Sequence, residues 1–175
     1  TEEYSIDLGA RVRDIARRGS KNEFFIALEN GKTLRFNLSD NSTSEFSTRS
    51  GVRAERVSSS QSGAKMAIGY SDGAVNIFRI NGSRIAQLPH VGSIKFLELV
   101  ESEDLLIVGT SAKSVFIYQL SNPTALPIEI KENRPIDAVV YSPAKESVIV
   151  ATSDRKLKEY PVRNRDWITK LEGLV

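Results

Sequence analysis

Residues 69–78 read Gly-Tyr-Ser-Asp-Gly-Ala-Val-Asn-Ile-Phe and carry the strongest structural signal in the chain. The Asp-Gly pair at their centre is a strong signal for a β-hairpin turn, because glycine and its small polar neighbour accept the positive φ that such turns need. Short apolar runs flank the turn, with Met66 to Ile68 before it and Val75 to Phe78 after it. Runs of this length on both sides of a turn predict two antiparallel strands rather than helices.

The hairpin recurs four times along the chain. Its turns lie at 30–31, 72–73, 112–113 and 154–155, which are 42, 40 and 42 residues apart. Each turn is followed by a run that ends in an aromatic residue six positions after the first turn residue; the four aromatics are Phe36, Phe78, Tyr118 and Tyr160. A fixed period of this length is the signature of a repeat architecture.

Two further segments complete each unit. An apolar segment precedes each hairpin, beginning at Val12, Val52, Ile94 and Ile136. A more polar segment follows it, near residues 44–46, 83–88, 126–130 and 167–171, as expected for an edge strand beside water. The last segment also admits a helical interpretation over residues 167–175. The sequence therefore predicts an all-β chain of four four-stranded antiparallel sheets, and residues 4–8 are expected to add one more outer strand.

The repeat resembles the WD-repeat family of β-propellers, in which each sheet is one blade. Residues 69–78 match the family's turn-and-strand signature, with Phe78 at the usual tryptophan position. Tyr141-Ser142-Pro143 and the segment 170–173 resemble the family's first-strand ending and its link to a next repeat. The resemblance implies one segment over residues 1–175, with blades at roughly 9–48, 49–90, 91–132 and 133–175.

The same resemblance assigns structural roles. They fall on the four aromatics Phe36, Phe78, Tyr118 and Tyr160, on the turn residues Asp72 and Asp154, and on His90, which lies at the family's structural histidine position. No unit contains both the histidine and the turn aspartate, so the family's buried His–Asp network is expected to be absent. Generic apolar packing is then expected to hold the blades together.

Four blades leave the ring open by comparison with the family's usual seven. Three outcomes remain: a segment of a larger propeller, a ring completed by a second copy of the chain, or an unusually small closed ring. The spare strand at residues 4–8 favours the first two, because it requires a blade that the four units do not supply.

Composition narrows the chemistry. Lys and Arg number 24 and Asp and Glu 22, for a net charge of +2, and the chain has one His and no Cys. The absence of cysteine excludes disulfide scaffolds and thiol catalysis. With a single histidine, the chain has few residues that could form a metal cluster or a histidine-based catalytic triad. We therefore expect no cofactor, no metal and no enzymatic activity. The sequence has no apolar run of membrane-spanning length and no secretory signal at Thr1 to Tyr4, so a cytoplasmic location is expected.

Partner binding is predicted at the mouth of the central channel. In the fold that the resemblance implies, the residues just after the first core position of each blade lie there, namely Arg13, Arg53, Lys95 and Asp137. Three of these four are basic, and a cleft of one charge attracts the opposite charge. An acidic or phosphorylated protein segment is the first partner expected. RNA is second and disfavoured, since no aromatic residues are interleaved with the basic ones.

These observations favour a non-catalytic protein-interaction scaffold. The alternative is a sensor or regulatory arm of a larger multidomain signalling protein. A propeller enzyme is disfavoured, because Asp137 is the one carboxylate predicted at a channel mouth.

Overall fold

The computed structural model describes residues 5–162, which form four antiparallel sheets and a single 3₁₀ turn at Glu101–Glu103. The strands of blade 1 are β1 (Val12–Arg17), β2 (Glu23–Leu28), β3 (Lys32–Asn37) and β4 (Ser42–Thr48). Those of blade 2 are β5 (Ala54–Ser59), β6 (Lys65–Tyr70), β7 (Val75–Arg79) and β8 (Arg84–Leu88). Those of blade 3 are β9 (Ile94–Val100), β10 (Leu105–Thr110), β11 (Ser114–Gln119) and β12 (Ile128–Lys131). Those of blade 4 are β13 (Ile136–Ser142), β14 (Ser147–Thr152) and β15 (Lys156–Pro161).

In every sheet the strands lie side by side in chain order. The all-β fold class and the propeller segment predicted from the sequence are thereby confirmed. The outer strand expected near residues 167–171, and its helical alternative, lie outside the described residues. Ser5 to Leu8 do not form the expected extra strand. An outer strand needs the third strand of its own sheet as a hydrogen-bonding partner, and the described chain supplies no such sheet before blade 1.

The hydrophobic core lies between the blades, in three clusters that each join two neighbouring sheets. Phe25 of blade 1 packs against Met66 and Ile68 of blade 2. The second cluster joins blades 2 and 3, and the third joins blades 3 and 4. Because the sheet of blade 3 is covered on both faces, β10 is apolar along almost its whole length and every one of its residues is buried.

One glycine shows how closely the blades approach each other. A Cβ atom at Gly69 in β6 would lie 2.5 Å from Cγ2 of Ile94, which begins β9 in the next blade. Ile94 is fully buried. Glycine at position 69 therefore allows the Ile94 side chain of blade 3 to pack against the β6 backbone of blade 2.

The outer faces of the two end blades remain partly open. On the side of blade 1 directed away from blade 2, Val12 is 46% exposed and Ile15 is 56% exposed. On the far side of blade 4, Val140 is 53% and Leu157 is 75% exposed. The residue of blade 3 that corresponds to Leu157 is Val115, which is fully buried against blade 4. The described chain is thus a partial propeller whose ends carry apolar side chains of the kind that pack between blades.

Candidate functional site at the turn face

The first strand of each blade begins, and its second strand ends, along the same edge of the sheet. Val12 pairs with Leu28, for example, and the hairpin turn follows immediately after that pair. We call this edge of the four blades the turn face. All the partner-binding residues expected from the sequence lie on it or next to it.

The strand register corrects one of those residues. Val12, Ala54, Ile94 and Ile136 pair with equivalent residues of their second strands. The residues that follow them are Arg13, Glu55, Lys95 and Asp137. Glu55, not Arg53, therefore holds the equivalent position in blade 2. The apolar Val52 imitates a first core residue in the sequence, but β5 begins two residues later at Ala54, a small side chain that is fully buried.

The four equivalent positions consequently alternate between basic and acidic residues instead of being mostly basic. Arg13 donates to Glu55 Oε2 from Nη2 at 2.6 Å and from Nε at 3.2 Å. Arg53 donates from Nε to the other carboxylate oxygen at 2.9 Å. The Glu55 side chain is only 1% exposed. Burial alone raises the pKa of Glu55, but the hydrogen bonds from Arg13 and Arg53 outweigh burial and hold that pKa below its ordinary value.

Two more cations border this ion pair. Arg56 donates from Nε to the carbonyl oxygen of Lys95 at 2.6 Å and from Nη1 to that of Glu55 at 2.7 Å. Within residues 5–162 neither the Arg56 guanidinium nor the Lys95 amino group forms an ion pair with a carboxylate. We call Arg13, Arg53, Glu55, Arg56 and Lys95 the basic cluster. Its formal charge is +3, from four cations and one carboxylate.

Asp137 stands apart from the basic cluster. It lies near the start of β13 in blade 4 and is exposed. No ion pair joins it to the cluster within the described part of the chain. The site that the structure brings together therefore spans blades 1 to 3.

The turn face also carries a polar residue at each junction between blades. The backbone N–H groups of Arg49, His90 and Glu132 donate to the hairpin-turn carbonyls of Gly31, Gly73 and Lys113 at 3.1, 3.0 and 2.8 Å. Each of the three side chains then reaches into the following blade. We call these three residues the junction residues.

His90 connects blades 2 and 3. Its Nδ1 lies 2.9 Å from the carbonyl oxygen of Gly73, and its Nε2 lies 2.8 Å from the hydroxyl of Tyr118. A carbonyl oxygen only accepts, so Nδ1 carries the proton and Nε2 accepts from the tyrosine. Burial lowers the pKa of His90 and raises the pKa of Tyr118 to about 12, so both groups are neutral at physiological pH.

Glu132 connects blades 3 and 4. Its carboxylate accepts from the Tyr160 hydroxyl at 2.6 Å and from the Lys158 amino group, and the side chain is 1% exposed. Arg49 connects blades 1 and 2 by an ion pair with Asp72 and by stacking over the Tyr70 ring. The three junction contacts therefore add polar bonds to the apolar packing between the blades, and none of them is a His–Asp pair. The spacing of 41 and 42 residues between the junction residues is a sequence signal that points to them.

The remaining structural residues occupy matching positions. The four aromatics Phe36, Phe78, Tyr118 and Tyr160 pair with Phe24, Met66, Leu106 and Val148 of the second strands. Asp72 accepts from the backbone N–H of Ala74 at 3.1 Å, within its turn. Asp154 accepts from the Thr152 hydroxyl at 2.6 Å and pairs with Lys156.

Sequence reasoning missed a third type of contact between the blades. A polar side chain of one inner strand accepts the backbone N–H of the next inner strand in three places. Asp14 binds Val57 at 3.0 Å, Ser58 binds Leu99 at 3.0 Å and Glu98 binds Tyr141 at 3.3 Å. These bonds satisfy inner-strand donors that have no neighbour within their own sheet.

The described residues contain no metal-binding group and no membrane-spanning helix. No group of three or more His, Asp or Glu side chains lies close enough together to hold a metal ion. No helix within residues 5–162 has the length and apolarity that a membrane span requires.

A solved structure shares this arrangement of sheets. The chain superposes on one chain of the "Crystal Structure of Mitotic Checkpoint Complex" with a TM-score of 0.75, over 87% of its own length. This is a WD40-like β-propeller fold. The two sequences are 13% identical, so the likeness concerns the fold alone, and the WD40-like chain spans only 47% of the structure it matches. No protein-family model matches the sequence, and no curated protein matches it either.

Proposed function

We propose that this WD40-like chain is a non-catalytic protein-interaction scaffold whose turn face binds an acidic or phosphorylated segment of a partner protein. The observation that carries the proposal is the basic cluster, in which Arg13 and Arg53 bind one buried carboxylate and two further cations, Arg56 and Lys95, carry no ion pair within residues 5–162. The likeness to a chain of a multi-protein complex supports a protein partner in general. Loops and strand ends on a rigid sheet scaffold are the usual place for recognition.

The geometry suits a carboxylate or phosphate ligand. Glu55 fixes the Arg13 and Arg53 guanidinium groups in position, and each guanidinium keeps unused N–H donors because it has five in all. A guanidinium binds carboxylate and phosphate oxygens in a bidentate manner. The ligand therefore meets cations that are already oriented, which reduces the entropy lost on binding.

A small cleft beside Arg53 offers room for the segment. It has a volume of about 190 Å³ and is lined by residues of blades 1 and 2, including Glu29, Val52 and Ser71. The cleft opens on the turn face next to Arg53, which is more exposed than Arg13, the other arginine bound to Glu55.

Peptide titration tests this proposal. The probe is a fluorescein-labelled nonapeptide rich in glutamate, measured by fluorescence anisotropy against the same peptide with glutamine at every acidic position. A phosphoserine peptide serves as a second probe. We expect the acidic peptides to bind, with an affinity that falls as salt is raised, and the double variant Arg53→Gln/Lys95→Gln to weaken binding about tenfold.

The choice of variant follows from the ion pairs. Reversing Arg13, Arg53 and Lys95 to glutamate would place new carboxylates against buried Glu55, so that triple variant is expected to disturb the fold as well. The double glutamine variant leaves Arg13 bound to Glu55. The matched control is Lys21→Gln/Lys131→Gln, which removes two exposed charges outside the cluster. Equal binding by the acidic and neutral peptides, or by the double variant and the native chain, would sink the proposal.

The open ends support a second partner proposal. Val12, Ile15, Val140 and Leu157 lie on faces that in the interior of the arc are covered by a neighbouring blade. We infer that further blades, or a second copy of the chain, cover these faces. Sedimentation equilibrium of the isolated chain separates the two, because a second copy doubles the mass, whereas a need for further blades leaves a monomer. A role as the regulatory arm of a larger signalling protein, and a cytoplasmic location, both stay predictions.

A further inference from the structure

We propose that the cleft between the inner strands β9 and β13 takes an apolar side chain of the acidic partner segment, so that the preferred ligand is an apolar residue flanked by acidic ones. This inference rests on the proposed function and names the motif that the site selects. The cleft has a volume of about 290 Å³ and reaches from Arg56 in blade 2 across blade 3 to Val139 and Val140 in blade 4. That volume lies at the lower end of the range for ligand pockets and suits one or two side chains.

The walls of the cleft are apolar. Phe96 and Leu97 of β9 line one side, and Val139 of β13, which packs toward blade 3, lines the other. Phe96 and Val139 are partly exposed here, so an apolar group that entered would remove apolar surface from water on both partners. The cleft lies on the inner-strand side of the sheets, while Ile107 and Val150 close the core between blades 3 and 4 beneath it.

A glycine makes room for one of these walls. Phe96 pairs with Gly109 of β10, and a Cβ atom at position 109 would lie 2.7 Å from Cδ2 of the Phe96 ring. Such a contact is impossible without displacing the ring. Glycine at this position therefore leaves the space that the Phe96 ring occupies on its own sheet.

The charges at the rim of the cleft determine which residues are favoured on either side of the partner's apolar side chain. Arg56 uses two of its five N–H donors on backbone carbonyls and keeps three, and Lys95 lies beside it. Among the described residues, Glu98 is the one carboxylate that lines the cleft. It is directed to the backbone N–H of Tyr141, and burial raises its pKa. The rim thus offers two cations against one carboxylate that is already engaged, which complements an acidic ligand.

The position of the cleft argues for a peptide segment rather than another blade. It lies between two blades of the described chain and not at either open end, so neither a further blade nor a second copy docked end to end would fill it. An extended segment that already contacts the basic cluster on β5 and β9 passes directly over the opening, because Arg56 and Lys95 belong to both sites.

The experiment compares three labelled peptides by fluorescence anisotropy at one salt concentration. The first reads Gly-Ser-Glu-Glu-Leu-Glu-Glu-Ser-Gly, the second has serine in place of the leucine, and the third has glutamine in place of every glutamate. We expect the leucine peptide to bind about tenfold more tightly than the serine peptide. This is roughly the gain in affinity from partly burying one leucine side chain. The glutamine peptide is expected not to bind.

Two variants locate the leucine preference. Val139→Asp places a charge in the wall of the cleft and is expected to abolish the difference between the leucine and serine peptides. Val91→Asp, the same change at an exposed loop position on the turn face, is expected to leave it intact. Circular dichroism confirms that both variants keep the sheet content of the native chain.

The possible failures are distinguishable. If the leucine and serine peptides bind the native chain equally, while both bind better than the glutamine peptide, the cleft proposal is overturned and the scaffold proposal stands. The same holds if Val139→Asp retains the leucine preference. If none of the three peptides binds, both proposals fail together.

Discussion

Arg13 and Arg53 both bind the Glu55 carboxylate, but we predict that Arg13 contributes more to the stability of the fold. Glu55 is almost fully buried, Arg13 is 24% exposed and gives it two hydrogen bonds, and Arg53 is 49% exposed and gives it one. Removing one partner of a fully buried pair costs about 3–5 kcal/mol, because a buried charge is left without compensation. Exposed pairs contribute about 0–1 kcal/mol.

Arg13→Gln lies between these limits, because Glu55 keeps its bond to Arg53. We expect this variant to lower the free energy of unfolding by about 2 kcal/mol. Arg53→Gln should cost less than about 1 kcal/mol, since Arg13 still neutralises the carboxylate. The double variant Arg13→Gln/Glu55→Gln should cost less than the two single changes summed, because it leaves no buried charge unpaired.

Urea unfolding followed by circular dichroism measures these differences. With a slope of about 2 kcal/mol per molar, the Arg13→Gln midpoint should fall by roughly 1 M and the Arg53→Gln midpoint by less than about half of that. The pKa of Glu55 is lowered in the folded state, so its contribution is present above its ordinary pKa and is lost as pH falls through the folded value. The penalty of Arg13→Gln should therefore shrink in acid. Equal midpoint shifts for the two arginine variants, or strict additivity in the double variant, would refute the reasoning.

Two further predictions concern the contacts between blades. Burial lowers the pKa of His90 below 6.5, and Tyr118 stays neutral beside it, so the unfolded chain takes up the histidine proton first as pH falls. The contribution of His90 to stability should be full above pH 6.5 and should decline as pH drops toward the folded pKa. His90→Gln should flatten this dependence in thermal melts recorded below pH 6.5, and a native melting temperature that stays constant as pH falls from 6.5 would contradict the assignment. Gly69→Ala should destabilise the chain by about 1–3 kcal/mol, because its Cβ would force Ile94 and blade 3 away. The same substitution made together with Ile94→Ala should cost less than it does alone, and an unchanged cost in urea unfolding would show that the two blades are not in close contact there.

Local signals in the sequence predicted most of the fold. Gly31 and Gly73 have φ values of +85° and +87° in the predicted turns. The third and fourth turns depart from the glycine pattern, yet Lys113 and Arg155 adopt the same left-handed conformation, with φ near 67° and 66°. Turn position and strand period are local properties, since a turn depends on two or three adjacent residues and a strand on the alternation of its side chains. Because the same turn and strand pattern occurs in four units, the weak signal of each unit is supported by the other three.

The junction residues show where the sequence signal becomes ambiguous. His90 could be assigned a structural role from its position alone. Glu132 takes the same position 42 residues later but is acidic, and nothing in its neighbourhood indicates a buried carboxylate. Its partners Lys158 and Tyr160 lie more than 25 residues away, in the next sheet.

By itself the sequence determined the number of units, their turns and the place of the four aromatics, because each depends on residues that are neighbours along the chain. Only the tertiary structure decided that Ala54 and not Val52 begins the inner strand of blade 2, and therefore that Glu55 faces Arg13 across 42 residues. That pairing turns an expected ring of positive charge into a +3 cluster on three blades, with an apolar cleft beside it. The physical reason is that contacts between separate sheets depend on how the sheets are placed against one another, and a register change of two residues in one strand alters which charges meet while leaving the alternation of buried and exposed side chains unchanged.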